Sequence, residues 1–329
     1  MSYDTADQLR LNKYTKALTK IFKNAPSKLE AHYRSIGLLE DMASDRMLFP
    51  AILSKHLATP GILDRKHYPV VAMDIELNPF YGLVANCWIP LPGRETDVST
   101  KMLHHHGNML LTTTTIFGPG YEHWTLTKPT EVSPERELFS TRLIERAPHP
   151  EGHIAFVDSY VAHIPFYASA LTITLALWSN KFPTTWRDRL KRRPFIQKNK
   201  DTLLRLAVDA GLTKTLDIKT IEYFDFYPTE EGLKGMKERR EFDLGPNSDY
   251  LYSLFHIIQQ TGNVGLASLI RSQLESSAPP GDVDLVRQLL ADLEQGRDLE
   301  GRLSACHFGI PYANFTRKDL ERVVGIPSR

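Results

Sequence analysis
The chain has 329 residues and almost no cysteine: Cys87 and Cys306 stand far apart, and no CxxC pair occurs. A disulfide framework and a thiolate zinc site are therefore not expected, and a reducing cytoplasmic setting is. An excess of either charge is also missing. Lys and Arg number 40 against 39 Asp and Glu, a formal net charge of +1. Overall charge thus selects neither nucleic acid nor an anionic membrane as a partner. No run approaches about 18 uncharged apolar residues, and the polar start MSYDTADQLRLNKYTK has no apolar core. Neither a membrane span nor a secretory leader is expected. P-loop, GxGxxG and GxSxG motifs are lacking too, which argues against nucleotide binding by those loops and against a serine-hydrolase elbow.

Histidine is what the chain does have, twelve in all, seven of them from His104 to His163. The regions around this cluster differ in texture. Leu9, Tyr14, Leu18, Ile21 and Phe22 recur at helical spacing, and Leu29, Tyr33, Ile36, Leu38 and Leu39 continue an apolar stripe. Ser27 with Glu30 three residues later has the form of a capping box. From Tyr68 to about residue 180 short β-rich segments follow one another with turn residues between them and no helical crossover, among them FYGLVANCWIPL, NMLLTTTTIFG, EHWTLT and LTITLALWS. That order predicts an antiparallel barrel or sandwich. Beyond Trp178 the chain reads as helical, with Ser248 and Asp282 placed as N-caps and Gly262 as a helix stop. The expected organisation is an N-terminal helical wrap over 1–67, a β domain over 68–180, and a helical region over 181–329 packed on it.

In Leu103-His104-His105-His106-Gly107, alternation along a strand puts His104 and His106 on one face and His105 on the other. Two imidazoles on one face make an incomplete metal site, though a polar edge strand has the same pattern. From Gly152 the chain reads GHIAFVDSYVAHIPFY. Its spacing resembles the second motif of the cupin superfamily: a glycine, five residues, Pro-x-Gly, two residues, His, three residues, Asn. His163 stands at the histidine of that motif, and HHHG resembles the start of the first. The resemblance covers about 68–180 and implies an α+β protein, an antiparallel cupin (jelly-roll) barrel flanked by N- and C-terminal helices, with a metal on His104, His106 and His163.

The chain departs from the family pattern in informative places. The first-motif glutamate is absent, the proline is Asp158, the glycine is Tyr160, and the terminal asparagine is Tyr167. Asp158 and Tyr160 share a face if the strand is regular there, and a carboxylate and a phenolate suit ferric iron. Glu122 and His123 begin the next strand and face opposite ways, so one of the two is expected inside the barrel. The donors to be weighed are thus His104, His106, Glu122, His123, Asp158, Tyr160 and His163. Such an excess resembles the cupins that hold a non-haem diiron centre, as in the monooxygenases of platensimycin-type diterpenoid biosynthesis. The resemblance implies two irons, or one as the alternative, with dioxygen as co-substrate, an electron donor, and a bulky apolar substrate such as a terpenoid coenzyme A ester. In that reading Tyr160 and Glu122 assist catalysis. Thr112, Thr114, Phe117 and Trp124 contact substrate, and Arg192 and Arg193 in the basic stretch 187–200 take the phosphates. A homodimer fits this reading. A redox-neutral cupin lyase with Tyr160 as ligand and base, and a non-catalytic binding cupin, are the other readings.

Overall fold
The computed structural model describes residues 5–65, 70–90, 103–179, 225–236, 247–276, 281–299 and 315–324. Three helices open it: α1 (Thr5–Asn24), α2 (Lys28–Ser44) and α3 (Leu48–Leu57). Ser27 caps α2 by accepting a hydrogen bond from the Glu30 amide at 3.1 Å. The Glu30 carboxylate accepts instead from Arg34 Nε at 2.7 Å. The buried stripe of α2 is Ala31, His32, Ser35, Leu39 and Met42, whereas Leu29 and Tyr33, expected on the apolar stripe, are exposed, as is Leu9 of α1. Pro50 sits in the first turn of α3, where its missing N–H has no intrahelical acceptor to lose.

The strands are β1 (Val70–Leu77), β2 (Tyr81–Trp88), β3 (Leu103–His104), β4 (Leu111–Phe117), β5 (Glu122–Leu126), β6 (Thr130–Ser133), β7 (Leu138–Ser140), β8 (Leu143–Pro148), β9 (Ile154–Val157), β10 (Ala162–Pro165), β11 (Thr172–Ser179), β12 (Asp225–Thr229) and β13 (Gly232–Met236). One sheet has the order β1-β2-β11-β4-β9, the other β6-β7-β13-β12-β3-β10-β5-β8. All the strand pairs are antiparallel. The fold is therefore of the expected class, two curled antiparallel sheets with helices at both ends. One element departs from expectation. The region after residue 180 is not wholly helical, because the β12–β13 hairpin joins the second sheet and Asp225 pairs with His104. The alternation in DFYPTEEGLKGM was a readable hairpin signal.

Period-two alternation decides what each strand face meets. On the first sheet Leu83, Ala85, Cys87, Ile173, Leu175 and Leu177 join a core with Phe22, Leu39, Ile52, Leu254 and Leu289. The helices α4 (Asn247–Gln260), α5 (Ala267–Ser276) and α6 (Val283–Glu294) thus share this core with α1–α3. Asp282 caps α6, accepting from the amides of Asp284 and Leu285, and Gly262 ends α4 at a left-handed φ of 69°. The outer face of the second sheet carries Leu103, Trp124, Leu126, Ile164 and Phe226, packed with Leu320 of α7 (Arg317–Val323). The inward faces of the two sheets enclose a cavity. Among the described residues, no helix is long and apolar enough to cross a membrane.

Candidate metal centre
His104 ends β3, and His163 lies directly opposite it on β10. His106 follows two residues later, where the chain turns at Gly107 with φ 60°. Two contacts hold this turn. The Gly107 amide donates to His105 Nδ1 at 2.9 Å, and the Tyr160 amide donates to the Gly107 carbonyl at 2.7 Å. The three imidazoles consequently converge. Their ring centroids lie 4.8 Å (His104–His106), 4.6 Å (His104–His163) and 4.8 Å (His106–His163) apart. One ligand nitrogen from each falls within 4.8 Å of the others. The 3.2 Å between His106 Nε2 and His163 Nε2 matches two neighbouring ligands about 2.1 Å from one ion. Burial, then the neighbouring His104, His106 and His123, pushes the His163 pKa well below the usual histidine value. A neutral imidazole presents the lone pair that a metal needs.

The centre opens on a cavity of about 230 Å³. Its walls are largely apolar, with Trp88, Leu111, Tyr121, Val157 and Trp178 prominent, and Asn86, Thr113 and Thr174 supply polar groups. Trp178 meets the His106 ring edge-on at 4.1 Å. His123 faces this cavity, its ring 5.4 Å from that of His163. Burial, then His104 and His153, lowers its pKa to about 4.

The other expected donors lie elsewhere. Glu122 points to the opposite face of β5, where Arg317 Nη1 donates to both carboxylate oxygens at 2.8 Å and Trp124 Nε1 donates to one of them. Burial alone would raise its pKa, but these donors outweigh it and lower the value. Asp158 and Tyr160 do not share a strand face, because residues 158–160 form the turn between β9 and β10. Asp158 is exposed and accepts from the Ser159 amide at 2.6 Å. Tyr160 takes a left-handed φ of 61°, the conformation that glycine adopts freely. Its ring lies beside His105, 5.7 Å between centroids, with Lys128 Nζ 4.5 Å from it. His105 points away from the centre, as alternation predicts.

The expected substrate contacts are off by one strand face. Thr112 and Thr114 do share a face, but it is the helix-facing one: Thr112 Oγ1 lies 2.7 Å from His32 Nδ1. Thr113 faces the cavity instead. Phe117 packs on the helical core and Trp124 is buried beyond the second sheet. Arg192 and Arg193, with the rest of the basic stretch, lie outside the described residues. Thr113, Asn86 and Trp88 were missed. The strand parity that would find them was readable, but not which parity faces inward.

No protein-family model matches the chain, and no curated protein matches it. Solved structures with a similar fold include KdgF from Halomonas sp., 10% identical over 34% of this chain and 82% of that one, with a TM-score of 0.24. An RmlC-like cupin from Shewanella frigidimarina is 10% identical over 34% of this chain and 76% of that one, with a TM-score of 0.21. Hydroxypropylphosphonic acid epoxidase from S. wedmorenis is 13% identical over 33% of this chain and 50% of that one, with a TM-score of 0.23.

Proposed function
We propose that this chain is a metal-dependent cupin oxygenase in which His104, His106 and His163 hold one iron and a neutral, apolar substrate group is hydroxylated. The observation behind this reading is the convergence of three imidazoles on a cavity with mostly apolar walls. Of the seven candidate donors, His104, His106 and His163 come together, which favours one iron over two. When bound, that iron would supply the redox capacity that dioxygen activation requires. Hydroxylation of a C–H bond by dioxygen also consumes two electrons and two protons and releases one water, so a two-electron donor is part of the proposal.

The residues on the walls suggest the division of labour. Trp88, Trp178 and Tyr121 offer flat apolar surfaces that orient a substrate and exclude water. Asn86, Thr113 and Thr174 could fix one polar substituent. At about 230 Å³ the cavity is below the usual range for drug-sized ligands, roughly 300–1,000 Å³. It suits a small molecule or one end of a longer one. A terpenoid carried as a coenzyme A ester fits the second case, with Arg192 and Arg193 proposed for the phosphates. The lyase reading drew on Tyr160 as base, and its ring beside His105 lends that no support.

The test is metal analysis of the purified chain together with oxygen uptake. One iron per chain and oxygen consumption coupled to a hydroxylated product are expected. Equal turnover under anaerobic conditions would overturn the oxygenase, and a chain that takes up no metal would leave a binding module.

A further inference from the structure
Two histidines outside the centre form a string with cavity residues. His153 is exposed on the surface. Its Nδ1 lies 2.8 Å from Nδ1 of His149, which is 1% exposed. His149 Nε2 lies 3.0 Å from Thr113 Oγ1. Thr113, Tyr121 and Thr174 all line the cavity.

We propose that His153, His149 and Thr113 form a proton relay from solvent to the cavity. Two Nδ1 atoms at hydrogen-bond distance require that one carry the proton and the other accept it. Both directions are available. With His149 protonated on Nδ1, it donates to His153, and its Nε2 accepts from the Thr113 hydroxyl. With the proton on Nε2, His149 donates to Thr113 and its Nδ1 accepts from His153. A proton taken up by His153 passes from its Nδ1 to His149 Nδ1. His149 Nε2 then releases its proton to Thr113 Oγ1, and the Thr113 hydroxyl proton enters the cavity. Each N–H or O–H bond broken is matched by one formed, so one proton moves and no electron does.

The surroundings suit this task. The His149 backbone is clamped: its amide donates to the Tyr121 carbonyl at 2.8 Å and its carbonyl accepts from Thr115 Oγ1 at 2.7 Å. Burial foremost, then His123 and His153, lowers the His149 pKa to about 3, so His149 transmits a proton rather than storing one. The use of the relay rests on the proposed oxygenase, whose stoichiometry needs two protons at the cavity. Its existence does not.

The test measures exchange of the Thr113 hydroxyl hydrogen with water by NMR, on the full-length metal-free protein without substrate. His153→Phe and His153→Gly are each expected to slow that exchange at least tenfold, and added imidazole to restore it in His153→Gly. Unchanged exchange in both variants would mean that Thr113 exchanges through the cavity mouth and would overturn the relay. So would a His153→Gly rate that added imidazole leaves slow, which would mark a packing effect. A failure to bind metal or consume oxygen bears only on the oxygenase.

Discussion

His163 faces His104 across the β3–β10 pair, residue opposite residue, with ring centroids 4.6 Å apart. Fifty-odd residues of chain separate them, so this contact depends on how two strands pair rather than on any local motif. His106 completes the group because the turn at Gly107 swings it back toward His163.

Metal uptake should follow these three residues alone. His163→Ala is expected to abolish stoichiometric metal binding, while Asp158→Ala and Tyr160→Phe keep it, as judged by metal analysis after dialysis. A tyrosinate-to-iron charge-transfer band in the iron-loaded protein that vanishes in Tyr160→Phe would contradict the placement of that ring beside His105.

The Glu122–Arg317 pair ties β5 to α7 and should matter to stability, not to the metal. Glu122→Gln is expected to lower the unfolding free energy by about 1–2 kcal/mol, a value held down by partial exposure of the pair, with metal content unchanged. Denaturant midpoints of the single variants and of the double variant with Arg317→Met give the coupling; a zero coupling would show that the ion pair contributes nothing.

Gly120→Ala should be severe. Gly120 has φ +84°, and a Cβ there would lie 2.1 Å from the His149 carbonyl oxygen. A backbone oxygen cannot move aside as a flexible side chain can, so a loss of about 3 kcal/mol or more is expected. A thermal midpoint within a degree or two of wild type would refute this close approach.

Acid should destabilise the fold through its buried histidines. Burial foremost lowers the His32 pKa from 6.5 to about 4 and the His56 pKa from 6.5 to about 3. Above the unfolded value both states are neutral and no stability is lost. As pH falls below it, the unfolded chain binds protons that the native state refuses, and stability declines until the folded pKa is reached. Each group contributes a slope of roughly 1.4 kcal/mol per pH unit, so the two together should cost about 2–3 kcal/mol between pH 6 and pH 5. Urea unfolding at the two pH values checks this, and His32→Gln should make the difference smaller.

Much of the architecture was legible because it rests on local chemistry. The Ser27 and Asp282 caps and the Gly262 helix stop sit where short-range hydrogen bonding and backbone freedom put them. The run of β segments without crossovers implied antiparallel pairing, and the resemblance to the two cupin motifs implied His104, His106 and His163 as one group. The alternation of the β12–β13 hairpin is present in the sequence as well.

What the sequence by itself determined was the set of residues that share a strand face: His104 apart from His105, Thr112 with Thr114, Glu122 opposed to His123. Tertiary structure alone decided which face turned inward, because parity is a local property and the inside is defined only by what packs on the other side. Helices covering the first sheet took Thr112 and left Thr113 in the cavity, and Arg317, distant in sequence, drew Glu122 to the outer surface. Asp158 and Tyr160 would share a face only on a regular strand, and the left-handed Tyr160 breaks it. Three histidines therefore face the cavity as one group without those carboxylate and phenolate partners.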